Sequence, residues 1–233
     1  MDLPVKPEKC FVCGGKLFNF QEILWEQLVK DWGLSPSEVA YVNLQQGLTC
    51  ISCHSNLRSI TLAKSIMIAA NSDKTLDNYI RTMTARKLKV LEVNEAGTLH
   101  PFLKKFANYT FAEFPHVDLH DLPYESEFFD LILHSDTLEH VEEPLIALSQ
   151  IFRVLKKGGK TIFTTPIIVE RATRSRKGMP NSFHGAPGNT DIGMLVTFEY
   201  GSDFWRFLAE TGFTDIRIIC EMYPAGIAFI ATK

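Results

Sequence analysis

The sequence contains no run of eighteen apolar residues, the length a membrane-spanning helix requires. Its first ten residues, MDLPVKPEKC, have neither the basic nor the apolar region of a signal peptide. Placement in the cytoplasm with no membrane partner is therefore expected. There is no basic surplus either, since 24 Lys and Arg against 27 Asp and Glu leave a net charge of -3. A phosphate-binding face needs clustered positive charge, so nucleic acid is not an expected partner. The two basic stretches, 171–177 and 81–89, read as a solvated loop and a helix-to-strand junction. Cysteine is scarce, at five residues. What is present, 233 residues of which 45% are hydrophobic, suffices for one main domain and a small appendage.

Four of the five cysteines fall in two C-x-x-C pairs, Cys10 with Cys13 and Cys50 with Cys53, separated by a long insert. Each pair is short enough for both sulfurs to reach one ion, and four thiolates suit tetrahedral zinc. Gly14 and Gly15 permit the tight turn that lets backbone amides face the sulfurs; His54 and Ser55 hold the equivalent places after the second pair. The reading is a zinc ribbon that is structural or shapes a substrate entrance, because four cysteines leave no open coordination position. Two disulfides or four unrelated thiols are the alternatives, and a reducing compartment disfavours the disulfides. Cys220, alone on an apolar strand, reads as a buried small hydrophobe.

The insert reads as helical. Ser35 as cap, Pro36 at the first helical position and Glu38 three after the cap mark a helix start, with an end near Gly47. Phe18, Ile23, Leu24, Trp25 and Leu28 supply a preceding helix. Ile60, Leu62, Ile66, Met67 and Ala70 give helical spacing over 57–71. The polar stretch NSDKTLDN then separates a zinc-ribbon and helical module, 1–72, from a main domain, 73–233. In that domain, apolar runs at 89–93, 109–111, 129–133, 160–164, 216–220 and 227–231 predict strands, and 99–106, 144–155 and 202–211 predict helices. Such alternation predicts an α/β fold, a Rossmann-like, mostly parallel sheet with helices on both faces. Ligands of such sheets sit beyond the carboxyl ends of the strands, where Glu92, Glu113 and His134 to Asp136, with Ser135 among them, would lie.

The most informative stretch is LKVLEVNEAGTL, residues 88–99. An apolar strand that ends in an acid and runs into a glycine turn suits a nucleotide-like cofactor. The backbone approaches the ligand at Gly97, and Glu92 can accept from sugar hydroxyls or an amino group. Asn94 adopts left-handed backbone more readily than most residues. In order after it come DLHDLPYESEFFDLIL, DTLEHVEEP and IFRVLKKGGKTIFTTP. This ordered set resembles the class I S-adenosylmethionine-dependent methyltransferases, in particular the type 11 group, over residues 87–232. RVLKKGG with FFDLIL before it is the specific part. The family's first loop often reads E-x-G-x-G-x-G, and here only Gly97 remains of those glycines.

The resemblance implies S-adenosylmethionine as cofactor, Glu113 on its ribose hydroxyls, Asp118 accepting from the adenine amino group, and the Leu119 amide on the ring nitrogen. Carboxylates at successive strand tips are thus expected to cup an adenosine. With four residues between Glu113 and Asp118, the helix usual there is missing or reduced to a turn. The resemblance also implies that the last strand, in MYPAGIAFIATK, runs antiparallel to its neighbours. Because the sulfonium already activates the methyl, the protein has to align the nucleophile and, for a hydroxyl, accept a proton. His134, His140 and His184 are candidate bases, His140 and His184 foremost, since imidazole titrates near neutral pH. Asp136, Glu139 and His140 resemble the cluster by which some O-methyltransferases hold magnesium or another divalent ion, with His184 approaching from above. The alternative is that Glu139 simply suits a helix start. Phe183, Tyr200 and Trp205 either line an apolar pocket or pack the loop. The expected activity is methylation of a small-molecule acceptor on oxygen, with transfer to nitrogen or to a protein side chain as the second reading. Outside catalysis, the degenerate first loop admits an inactive module that docks a partner through its ribbon.

Overall fold

The computed structural model describes residues 6–185, 188 and 190–233. Residues 1–5, on which the expectation about the first ten residues partly falls, and residues 186, 187 and 189 beside His184 lie outside it. Behind the first cysteine knuckle come β1 (Phe18–Phe20), α1 (Glu26–Asp31), α2 (Pro36–Gly47) and β2 (Leu48–Cys50). The expected capping box starts α2: Ser35 Oγ accepts from the Glu38 amide at 3.3 Å, and Glu38 Oε2 accepts from the Ser35 amide at 2.7 Å. The helix expected from Phe18 onward is confined to α1. Phe18–Phe20 instead pairs antiparallel with Leu48–Cys50, so its backbone bonds are made in a ladder. Gly47 is needed where the two meet, because a Cβ there would stand 1.8 Å from the Gln21 carbonyl oxygen.

The chain continues through α3 (Leu57–Ala69), α4 (Leu76–Ile80), β3 (Lys89–Val93), α5 (His100–Leu103), β4 (Asn108–Ala112), β5 (Phe129–Ser135), α6 (Pro144–Val154) and β6 (Leu155–Thr164). The short strands β7 (Ile167–Ile168), β8 (Arg174–Ser175) and β9 (Phe198–Gly201) follow, then α7 (Trp205–Thr211), β10 (Asp215–Glu221) and β11 (Gly226–Thr232). The main sheet has the order β10-β11-β6-β5-β3-β4. β4, β3, β5 and β6 run parallel, and β11 is antiparallel to both its neighbours. This is the expected Rossmann-like sheet, with its reversed last strand. No helix intervenes between β4 and β5 among the described residues.

Strand alternation sorts the core onto two faces. Leu91, Ile132, Phe163, Phe229 and Ala231 meet α6 and α7 through Leu148, Ile151 and Leu208. Val90, Leu131, Leu133, Ile162 and Ile230 meet Ile60, Ala63, Ile66 and Met67 of α3. Thus α3 covers one face of the sheet, and in packing it belongs to the main domain. The helix expected over 99–106 is reduced to four residues behind a tight turn at Gly97–Leu99. Cys220 is exposed rather than buried, because β10 is an edge strand with one neighbour. No helix among the described residues is long and apolar enough to cross a membrane.

Candidate functional site

The two knuckles are built alike. The Gly14 amide donates to the Cys10 carbonyl at 2.7 Å and the His54 amide to the Cys50 carbonyl at 2.8 Å; both residues have positive φ, 87° and 59°. The Gly15 amide faces Cys13 Sγ at 3.4 Å, as the paired glycines led one to expect. Sγ of Cys10 lies 3.6 Å from that of Cys53, and Sγ of Cys13 lies 3.7 Å from that of Cys50. Neither pair is a disulfide. Tetrahedral thiolates about 2.3 Å from zinc stand about 3.8 Å apart, so the four sulfurs fit that ion. The hydrogen bond from Cys10 is the main reason the Cys53 thiol is pushed down to about 4, while that bond and burial push Cys10 up.

At the carboxyl end of β3, Asn94 takes the left-handed conformation, φ 52°. Its amide donates to the Ala112 carbonyl at 2.7 Å and its Oδ1 accepts from the Phe114 amide at 3.0 Å, tying the tips of β3 and β4 together. Beyond them opens a cavity of about 340 Å³ lined by Asn94, Asp118, Leu119, Thr137 and His140 and roofed by Ile192, Gly193 and Leu195. Asp118 Oδ1 accepts from the His120 amide at 2.8 Å, the main reason its carboxyl is held below the usual range.

The other residues assigned to a cofactor from sequence do not line this hollow. Glu92 is fully buried, its Oε1 accepting from the Ala96 amide at 2.8 Å and its Oε2 lying 2.5 Å from the Tyr109 hydroxyl and 3.0 Å from His100 Nδ1. Both oxygens thus hold the loop from within. Burial, then the Glu92 carboxylate, raises the Tyr109 phenol, which keeps it a donor. Glu113 is exposed and off the wall, and Gly97 lies on the turn that packs toward Ser59 of α3. Ser135 is buried with its hydroxyl 2.7 Å from Thr164 Oγ1. The expected ring of three strand-tip carboxylates is therefore reduced to Asp118.

A second cavity, of about 330 Å³, lies under the N-terminal module. Its walls are mostly apolar: Ile23, Leu24, Trp25, Leu28, Trp32, Leu34 and Val42 on one side, Pro166 to Ile168 on the other, with Gln45, Gln46, Arg58, Asp136 and His184 as polar members. Asp136 is paired with Arg58 of α3, not with the histidines. Arg58 is the residue that sequence reasoning missed. Its signal was a cation at the second position of a mostly apolar helix, in a turn whose other residues are buried. Burial lowers its guanidinium to about 10, and its Nε has no hydrogen-bond partner.

The module is held over this cavity by three sets of polar links. Arg171 donates to both carboxylate oxygens of Glu38 at 2.7 Å and to the Trp32 and Gly33 carbonyls at 2.9 and 2.8 Å. Trp32 Nε1 donates to Ser182 Oγ at 2.7 Å, and Gln45 Nε2 donates to the Ala225 carbonyl at 2.9 Å.

Between the cavities stand Glu139, His140 and His184. Glu139 Oε2 accepts from Thr165 Oγ1 at 3.1 Å; its Oε1 lies 3.7 Å from His140 Nε2 and 3.6 Å from His184 Nδ1. The two imidazoles meet edge to face with centroids 5.0 Å apart, and Trp32 stacks on His184. Burial raises the Glu139 carboxyl and brings His184 down to about 3. His134, the third candidate base, is fully buried and stacked on Phe163 at 4.4 Å, and burial lowers it to about 3; it is a core ring out of reach of either cavity. Tyr200 is likewise core, donating to the Leu138 carbonyl, and Trp205 lines neither cavity.

Comparison with known proteins agrees with this architecture. Residues 77–163 match the family model described as "Methyltransferase domain". A demethylmenaquinone methyltransferase of Clavibacter sepedonicus is 37% identical over 73 residues, 30% of this chain and 30% of that protein. The ubiquinone/menaquinone biosynthesis C-methyltransferase UbiE of Pectobacterium carotovorum is 38% identical over 93 residues, 39% of this chain and 34% of the relative. The chain thus spans about a third of the length of these two relatives. That of Francisella philomiragia is 26% identical over 211 residues, 83% of this chain and 80% of that protein.

Proposed function

We propose, from the class I methyltransferase domain that this chain carries, that it transfers the methyl group of S-adenosylmethionine to a small apolar acceptor bearing an ionisable oxygen. The observation that carries this reading is the pair of cavities lined by successive residues of the Asp136–His140 stretch, with His140 on the wall of one and His184 on the wall of the other. The strand-tip hollow fits the cofactor. Asp118 accepts from the adenine amino group and Leu119 presents its amide beside it, as in the family pattern. Arg58, paired with Asp136 at the edge of the second cavity and with an unused Nε, suits the α-carboxylate of the methionine portion. The indole- and leucine-lined cavity excludes water and takes the acceptor. Cofactor chemistry supplies the electrophilic methyl; the chain aligns the acceptor with it and takes up a proton at an imidazole nitrogen of His140 or His184.

The oxygen is the proposed methyl acceptor. Transfer to carbon is a second reading, favoured by the relatives' printed description as C-methyltransferases of ubiquinone/menaquinone biosynthesis. The four cysteines hold structural zinc in this reading, the reaction proceeds in the cytoplasm, and the ribbon fixes the module that roofs the acceptor cavity. Calorimetry with S-adenosylmethionine tests the core of it. Micromolar or tighter binding is expected, weakened tenfold or more in Asp118→Ala through loss of a hydrogen bond of ~1.5 kcal/mol. No binding at millimolar cofactor would favour a docking module instead. Transfer of a labelled methyl to quinols and phenols, with mass analysis of the product, separates oxygen from carbon.

A further inference from the structure

The structure assigns a second metal site, for a divalent first-row transition ion, to Glu139, His140 and His184. Three donor atoms gather there: a carboxylate oxygen of Glu139 and one ring nitrogen from each histidine lie within 4.8 Å of one another. The Glu139 oxygen is buried and receives no hydrogen bond, although its twin is held by Thr165. A buried carboxylate oxygen that accepts no hydrogen bond is costly unless a cation completes it. His140 is oriented for the task. Its Nδ1 lies 2.9 Å from the Leu195 carbonyl, which can only accept, so the proton sits on Nδ1 and the lone pair of Nε2 points at Glu139. Outer-shell carbonyls fix metal-binding imidazoles in this way. The Glu139 backbone is pinned as well, its carbonyl accepting from the Thr197 amide at 2.7 Å.

Tetrahedral donors about 2.1 Å from an ion stand about 3.4 Å apart, so the contacts of 3.6 and 3.7 Å close by a few tenths of an ångström. Two imidazoles and one carboxylate suit zinc, cobalt, iron or manganese better than magnesium, which prefers oxygen ligands. Asp136 is outside the set because Arg58 occupies it. Three protein ligands leave coordination positions open, as catalytic sites do. If the methyl-transfer reading holds, these face the acceptor cavity; with the ion bound the two imidazoles are its ligands rather than proton acceptors, and the acceptor oxygen binds to it already ionised, its proton left to solvent.

The test is metal content of the full chain after equilibration with manganese(II), counting zinc and manganese together and reading free manganese by its electron paramagnetic signal. Wild type is expected to carry one equivalent more than His184→Ala and one more than Glu139→Gln, with manganese affinity in both variants reduced at least thirtyfold. Circular dichroism checks that each is folded; His184 is on a loop and glutamine is nearly isosteric with glutamate. Equal metal content in wild type and either folded variant would overturn the site. S-adenosylmethionine calorimetry on the same samples keeps the two ideas apart, since loss of cofactor binding with the metal difference intact refutes only the methyl transfer.

Discussion

Arg171→Met should undock the roof of the acceptor cavity. The guanidinium is removed while the aliphatic stem is kept, so Glu38 loses two charge-assisted bonds of 2.7 Å, and the Trp32 and Gly33 carbonyls lose one each. Glu38 is nearly inaccessible to water, and leaving one member of a buried pair alone costs ~3 to 5 kcal/mol. The depression of the Glu38 carboxyl corresponds to a similar figure. Arg171 is the main reason its carboxyl is held down to about 2 from 4.5, and at about 1.4 kcal/mol per unit this amounts to roughly 3 kcal/mol. Because the folded value is the depressed one, the stabilisation is full above the unfolded value near 4.5 and fades as pH falls toward 2. Denaturant unfolding of wild type and variant should therefore differ by roughly 3 kcal/mol at pH 7 and by less than half of that near pH 3. The acceptor KM should rise more than that of the cofactor. A difference below about 1 kcal/mol at pH 7, or one that does not shrink in acid, would refute the reasoning.

Gly15→Ala places a Cβ 2.9 Å from Cys50 Sγ and 2.9 Å from Ser52 Oγ, so zinc affinity should fall, read as faster release to a colorimetric chelator with the cysteines all intact. Tyr109→Phe strips the short hydrogen bond from buried Glu92 and should lower unfolding free energy by ~1 to 3 kcal/mol, measured by urea titration. Trp32→Ala removes the ring stacked on His184 and the bond to Ser182; turnover at low acceptor concentration should drop at least tenfold while calorimetric affinity for S-adenosylmethionine stays within twofold.

What could be read in the sequence is what depends on near neighbours. Ser35, Pro36 and Glu38 announce α2 because a capping box is a three-residue device, and Gly14-Gly15 announces its knuckle for the same reason. The strands of the main sheet were visible as apolar runs, and the reversal of β11 followed from the family pattern. What depends on register or on distant partners was hidden. Glu92 turns inward because β4 pairs with β3 so that Tyr109 lies across from Val90 and reaches over to it. Arg58 claims Asp136 from 78 positions earlier, and Arg171 reaches Glu38 across 133. Neither pairing leaves a trace in local spacing. Cys220 misled because an apolar run does not say whether its strand lies inside a sheet or at its rim.

One feature of the packing reaches beyond catalysis. Cys10, Val12 and Cys50 share a single hydrophobic cluster with Ile60 and Ile66 of α3 and with Val90, Ile162 and Ile230 of the sheet. The front of the molecule therefore cannot be pruned away to leave a minimal enzyme. A chain beginning at Ser72 would present a bare greasy wall of the sheet to solvent, and it should clump on expression rather than fold.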